Sequence, residues 1–173
     1  MRILRNVAAA MALASTAAAA SAQSARSCIT TSEAEGMVLF AMPEIVRAVG
    51  ATCTRSLPPR AILRRPQAII SKFAAEGESA WPRARAAFGK IAGPDARSLL
   101  EGNLGRPLLS SMVGPLVAGE VKSSDCTAIN RIIELSQPLP ARNTAGLFVT
   151  ILQLAMAKDT ATRRKLPLCP LTP

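Results

Sequence analysis

Apolar residues recur at intervals of three and four along most of the chain, which is the period of a helix buried on one face. No stretch alternates apolar and polar residues for long enough to predict a strand. The sequence therefore predicts an all-α domain, an irregular bundle of about five to seven helices. Several of these helices contain or adjoin a proline, which removes a backbone donor and interrupts the helical hydrogen bonds.

The first helix is predicted to begin near Thr31, because Ser32 and Glu35 have the spacing of a capping box. An apolar stripe at helical spacing follows and continues for about five turns. Pro43 lies in the middle of this segment. It should either kink the helix or split it in two.

Two further helices are predicted before the middle of the chain. The first begins near Pro59 and ends at Gly77, since glycine is a common signal for the end of a helix. The second is capped by Ser79 and ends at Gly93. Trp81 is the only tryptophan and lies on the apolar stripe of the second helix, so we expect it to anchor the core.

Between residues 95 and 121 the pattern is helical but broken. Gly105-Arg106-Pro107 restarts the chain, and Gly114-Pro115 should bend the piece that follows. That second piece carries an apolar stripe expected to face the core: Leu108, Leu109, Met112, Val113, Leu116 and Val117.

Two helices are predicted near the end of the chain. Ser123 or Ser124 caps the first, which has an apolar stripe and ends at Pro138. The second, from Leu147 to Met156, is apolar almost all round. Such a helix is typically central and covered by neighbours on several sides.

Residues 1–22 have the organisation of a secretory signal peptide, with two arginines, an apolar stretch and a small-residue cleavage site. The apolar stretch is shorter than the roughly 20 residues that span a bilayer, which argues against a retained membrane anchor. We therefore expect a periplasmic or secreted protein without a transmembrane segment in the mature chain. Residues 23–160 should form a single domain, and residues 161–173 an extended, basic, proline-rich tail.

The chain contains four cysteines, all after the predicted leader: Cys28, Cys53, Cys126 and Cys169. An even number of cysteines in an exported protein predicts two disulfides. A metal site is not expected, because the chain has no histidine and no C-x-x-C motif. The sequence indicates no cofactor either.

Geometry limits how the cysteines can pair. An unbroken first helix would be about 30 Å long, which separates Cys28 from Cys53. An up-and-down bundle then favours Cys28 with Cys126 and Cys53 with Cys169, and the tail is long enough to reach the far end. The alternative, Cys28 with Cys53 and Cys126 with Cys169, requires the chain to fold back at Pro43.

The mature chain is strongly basic. The leader holds two of the 21 basic residues and none of the 11 acidic ones, which leaves 19 against 11, a net charge of +8. Such a surplus favours an anionic partner, an envelope component or an acidic protein. The residues expected to contact it form two clusters: Arg60, Arg64, Arg65, Arg163, Arg164 and Lys165.

A solvated surface that keeps the protein soluble is the alternative interpretation of these basic residues. Nucleic acid is not the expected partner, because stacking aromatics would accompany the charge. Trp81 and Phe88 lie near a basic cluster, but at a spacing that suits the core.

Missing residue types argue against catalysis. Without histidine and tyrosine, the chain lacks the commonest general base and a phenolic acid. A pair of carboxylates is the remaining option, with Glu44, Glu101, Glu120 and Glu134 as candidates if two of them meet in one cleft. The leading hypothesis is a non-catalytic binding protein of the bacterial envelope. A small carboxylate-dependent hydrolase of envelope polymer and a ligand-free accessory protein are the alternatives.

Overall fold

Six α-helices follow one another in the computed structural model, which describes residues 28–158 and 166–171. Within these residues no strand is present, and a single isolated bridge joins Ile29 to Leu168. The prediction of an all-α bundle is confirmed. The helices are α1 Thr31–Cys53, α2 Gln67–Ala92, α3 Pro94–Glu101, α4 Gly105–Gly119, α5 Cys126–Ser136 and α6 Ala141–Lys158.

Helix α1 lies at the centre of the bundle and packs against α2, α4 and α6. It is continuous through Pro43, so this proline does not split the helix. The capping box at its start is formed by Thr30 and Glu33, and the prediction that Ser32 and Glu35 form it is wrong. The reason is that Thr30 has an extended backbone and precedes the first helical residue, which places Ser32 inside the helix.

Helix α1 is also long and apolar enough to cross a membrane, the one helix of the described residues for which this holds. About 56% of its most apolar stretch is buried within the protein. A central helix of a bundle has the same length and hydropathy, because neighbours cover it on several sides.

Helix α2 runs unbroken past Gly77, so the predicted helix end at this residue is wrong. Its start is also later than predicted, because Pro66 prevents a helix from continuing through from Pro59. Packing explains the continuity: one buried stripe faces α1 along the whole of α2 and outweighs the low helix propensity of glycine. The stripe consists of Ile69, Ile70, Phe73, Gly77, Ala80, Ala84 and Ala87.

Helix α4 packs on α1 through Gly114, where a side chain would come within 2.8 Å of the carbonyl oxygen of Glu44. This close approach turns the opposite face of α4 outward. Leu108, Met112 and Leu116 lie on that face and are exposed, so the prediction that they face the core is wrong. The sequence pattern alone does not reveal which of two apolar faces a helix buries.

Helix α6 lies at the edge of the bundle, and the prediction that it is the central helix is wrong. It buries Ala145, Val149 and Met156 against its neighbours. Leu147 and Ile151 face away from the core and are exposed. The central position belongs to α1, whose neighbours cover three of its faces.

Two disulfides cross-link the chain, which is compatible with an exported protein. Cys28 pairs with Cys169, and their Cα atoms are 5.1 Å apart. Cys53 pairs with Cys126, with Cα atoms 5.5 Å apart. The presence of two disulfides is confirmed, but both predicted pairings are wrong.

The course of the helices explains this third pairing. Because α1 is unbroken, Cys53 lies at its far end, and α5 begins there with Cys126. Helix α6 then returns to the start of α1, where Gln153 Nε2 donates to Thr31 Oγ1 at 3.2 Å. Gln153 Nε2 also donates to the carbonyl oxygen of Cys169 at 2.9 Å, so Cys169 lies at this same end of the molecule, beside Cys28. The predicted pairing assumed a simple up-and-down bundle. That arrangement does not include the two short helices α3 and α4, which lie between α2 and α5.

Candidate functional site

The segment between α1 and α2 is an irregular but firmly held loop of residues 54–66. Leu57, Ala61 and Leu63 are buried in the core and anchor it. Backbone bonds close its turns, with the N–H of Ala61 donating to the carbonyl of Pro58 at 2.9 Å. The loop approaches α1 so closely that a side chain at Gly50 would lie 2.5 Å from the carbonyl oxygen of Leu63.

Side chains fasten this loop to α5 and to itself. The N–H of Leu63 donates to Asn130 Oδ1 of α5 at 3.2 Å. Arg64 Nη1 donates to the carbonyl oxygen of Leu57 at 3.1 Å. The Cys53–Cys126 disulfide joins the end of α1 to the start of α5 beside these contacts. A hydrogen bond and a neighbouring disulfide therefore hold the loop against α5.

A cavity of about 570 Å³ lies between this loop and α5. Arg60 and Arg65 both line it, from opposite ends of the short 3₁₀ turn at Ile62–Arg64. Helix α5 contributes a polar wall, and the loop contributes small apolar surface. The remaining lining residues are Pro58, Ala61, Ile62, Asn130, Glu134 and Gln137.

The electrostatic balance of this cavity is positive. Glu134 is the one carboxylate among its lining residues, and it pairs with Arg131 at 3.2 Å. Among the residues that the structure describes, no carboxylate forms an ion pair with Arg60 or Arg65. Two arginines that form no ion pair therefore line a concave surface with one carboxylate, which leaves a net positive charge there.

The predicted anion-binding residues have different positions. Arg60 and Arg65 come together in the cavity, whereas Arg64 is engaged with the loop backbone. The other three, Arg163, Arg164 and Lys165, lie outside the described residues.

A second basic concavity of about 390 Å³ lies along α2 and α3. Arg85, Lys90 and Arg97 line it together with Glu101. Lys90 is committed to the fold, because its Nζ donates to Glu33 Oε2 at 2.7 Å and to the carbonyl of Cys28 at 2.8 Å. This concavity is smaller, and one of its three basic side chains is already ion-paired within the fold.

The candidate carboxylates do not meet in either concavity. Glu134 lines the first and Glu101 the second, and each is the single carboxylate there. Glu44 pairs with Arg47 one turn further along α1. Within the described ranges, no group of three or more histidine, cysteine, aspartate or glutamate residues could hold a metal ion.

Trp81 is partly buried, and its ring lies 4.9 Å from that of Phe40. Phe88 packs edge-on against Phe40 with ring centroids 6.2 Å apart. These aromatic rings contact one another inside the bundle, as their helical spacing predicts, rather than forming a stacking platform beside the basic residues.

The polar wall that α5 contributes to the cavity was not predicted from the sequence. Asn130, Glu134 and Gln137 are spaced by four and three residues, which places them on one face of the helix. This polar face opposite the apolar stripe is the signal that would have indicated them.

Comparisons with protein-family models, with curated proteins and with solved structures find no match for this chain.

Proposed function

We propose that this protein is exported to the bacterial periplasm, where it binds an anionic group of an envelope component in the cavity between the 54–66 loop and α5. The observation that supports this is the convergence of Arg60 and Arg65 on one concave surface, where neither forms an ion pair and the single carboxylate, Glu134, is paired with Arg131. The role is binding rather than catalysis, because neither basic concavity contains a pair of carboxylates.

The side chains of the cavity suit phosphate or carboxylate. Each guanidinium group offers several N–H donors in a planar fork, which matches two oxygens of an anion. Asn130 and Gln137 add amide groups, and the Oδ1 of Asn130 already accepts from Leu63, which leaves its NH₂ group as a donor to the ligand. Pro58 and Ile62 provide apolar surface for the organic part of the ligand.

Export is supported by the leader-like residues 1–22 and by the two disulfides, because thiols oxidise outside the cytoplasm. A net charge of +8 after removal of the leader would attract anionic envelope components over a distance of about 10 Å at moderate salt.

Titration of the purified protein with lipopolysaccharide and with poly-glutamate tests the binding site. The double substitution Arg60→Gln and Arg65→Gln should weaken binding of the preferred probe by about 10-fold or more per arginine, because each removes a charge-assisted hydrogen bond. The matched control is Arg55→Gln with Arg85→Gln, which removes the same charge outside the cavity and should change affinity less than about threefold.

Salt concentration provides the second measurement. Affinity of the native protein should fall steeply as sodium chloride is raised, because counterions compete for the guanidinium groups. If the cavity variant and the control variant lose the same affinity, binding depends on the overall charge of the protein and not on the cavity, which contradicts the proposal. Binding that is unaffected by Arg60→Gln with Arg65→Gln, or by salt, contradicts the proposal.

A further inference from the structure

The outer face of α6 carries an apolar ridge that the bundle leaves uncovered. Leu147, Ile151 and Leu154 are 49%, 55% and 56% exposed. Their spacing of four and then three residues aligns them along one side of the helix. A helix that is apolar all round is normally covered on several sides, and α6 is covered on one.

A groove lies beside this ridge. Two adjoining cavities of about 340 and 210 Å³ form it, and Phe148 and Ile151 line both. Its other lining residues come from α1, α5, the turn before α6 and α6 itself, and all of them except Ser136 are apolar.

The same face lacks charge. Helix α6 has no charged residue from Asn143 to Ala157, although the full chain carries a net charge of +10. Two copies of so basic a chain repel each other, and this repulsion is weakest where neither copy carries charge. An uncharged apolar face on a basic protein is therefore suited to self-association.

The size of the face fits a dimer. Five large side chains of α5 and α6 are about half exposed here: Ile132, Leu135, Leu147, Ile151 and Leu154. At roughly 150 Å² for a large side chain, they present on the order of 400 Å² of apolar surface. That is about half of the roughly 800 Å² that each partner buries in a stable interface, the share expected for an apolar centre inside a polar rim.

We propose that this face binds a second copy of the chain through a two-fold axis. In a two-fold interface each copy must present both halves of the contact, and here a ridge and a groove lie side by side. The ridge of each copy would occupy the groove of the other, as ridges and grooves interlock between packed helices. This proposal is independent of the anion-binding cavity.

An antiparallel arrangement of the two α6 helices follows from the sequence of the ridge. Ile151 lies between Leu147 and Leu154. Antiparallel packing therefore places Ile151 near the axis and Leu147 of each copy opposite Leu154 of the other.

An anionic bilayer fits this face less well. Membrane-surface helices place free basic residues beside an apolar face. Among the described side chains of α5 and α6, both arginines are paired, Arg131 with Glu134 at 3.2 Å and Arg142 with Glu76 at 2.9 Å. The groove is also concave, whereas a bilayer surface offers no ridge to fill it.

Sedimentation equilibrium of the purified, disulfide-bonded protein tests the proposal. The native protein should have twice the mass of one chain at micromolar concentration. Ile151→Glu should raise the dissociation constant roughly 100-fold or more, since it buries an unpaired charge at the axis. Leu116→Glu on α4, at a position 66% exposed, is the matched control and should leave the dimer intact.

Cross-linking gives a measurement that does not depend on dissociation. The described cysteines are all in disulfides, so Ile151→Cys adds one reactive thiol per chain. A residue near a two-fold axis lies close to the same residue of the second chain. The Ile151→Cys variant should therefore form a covalent dimer under mild oxidation, and Leu116→Cys should not.

Three results would overturn the proposal. The first is a native protein that remains monomeric at 200 µM. The second is equal dissociation by Ile151→Glu and Leu116→Glu, or equal cross-linking of the two cysteine variants. The third is a monomer that binds phosphatidylglycerol vesicles and loses this binding with Ile151→Glu, which would assign the face to a lipid surface.

Discussion

Glu33 has an environment that ties the first turn of α1 to α2. Its carboxylate accepts from the N–H of Thr30 at 2.8 Å and from Lys90 Nζ at 2.7 Å. Burial raises the pKa of Glu33, but the hydrogen bonds from Lys90 and Thr30 outweigh this effect, and the pKa lies below its ordinary value of 4.5. Lys90 also donates to the carbonyl of Cys28, so three segments meet here.

A lowered pKa makes the contribution of Glu33 dependent on pH. The ionised carboxylate stabilises the fold fully above the pKa of the unfolded chain, and this contribution is lost as pH falls through the folded pKa. Glu33→Gln should therefore cost about 1–2 kcal/mol at pH 7. Urea denaturation should show that this difference shrinks below pH 4.5, while the exposed Glu120→Gln changes stability little at either pH.

Two glycines should respond to alanine with opposite signs. At Gly50 a Cβ atom would lie 2.5 Å from the carbonyl oxygen of Leu63, so Gly50→Ala should destabilise the protein by about 1–3 kcal/mol. At Gly77, inside α2, a Cβ atom meets nothing within 4 Å. Gly77→Ala should therefore stabilise by about 0.5–1 kcal/mol, because alanine restricts the unfolded chain and favours helix. Denaturation midpoints of the two variants compare these effects directly.

The end of α5 depends on a side chain from another helix. Lys72 Nζ of α2 donates to the carbonyl oxygens of Ser136, Gln137 and Leu139, at 3.2, 3.2 and 2.8 Å. These carbonyls lie at or beyond the last turn of α5, where the helix leaves acceptors unpaired and carries partial negative charge. Burial lowers the pKa of Lys72 from its ordinary 10.5.

Loss of this interaction should loosen α5 from α2. Lys72→Met keeps most of the side-chain volume and removes the three donors, so it should cost about 1–3 kcal/mol of unfolding free energy. Hydrogen exchange should increase most in α5 and in the turn before α6. An unchanged exchange pattern would show that solvent satisfies these carbonyls equally well.

Helix class and several boundaries follow from the sequence, because they depend on local chemistry. Gly93, with a φ of 84°, separates α2 from α3 as predicted, and Gly105 begins α4. The continuity of α2 at Gly77 could not be read locally, since packing on α1 decides it. Arg60 and Arg65 were predicted as binding residues. The polar wall of the cavity could not be predicted, because it depends on the Cys53–Cys126 bond, which brings α5 next to the loop.

At the scale of the whole molecule, the pairing of the cysteines was beyond the sequence, because it depends on how many times the chain crosses the bundle. The two bonds close large loops, with sequence separations of 141 and 73 residues. Since loop entropy varies with the logarithm of length, each should contribute a similar amount, about 4–5 kcal/mol in the chain-entropy model.

The two disulfides should nevertheless differ in their effect on binding. Replacing Cys53 and Cys126 by alanine frees the joint between α1 and α5 beside Arg60 and Arg65, so affinity for the anionic probe should fall. Replacing Cys28 and Cys169 should lower stability but leave affinity close to native. Thermal denaturation and titration of both double variants measure the two effects separately, and equal affinities would show that the cavity does not depend on its neighbouring bond.

The Cys28–Cys169 bond, with its 5.1 Å between Cα atoms, makes the domain almost a ring of polypeptide. A short peptide linker in place of that bond would close the ring through the backbone, and new ends could be opened at the exposed turn of Gly102 and Asn103. A circularly permuted protein of this kind would display a fluorescent or affinity tag from the α3–α4 corner. In this protein the two ends would be joined by a peptide bond, so that connection would form without an oxidising compartment.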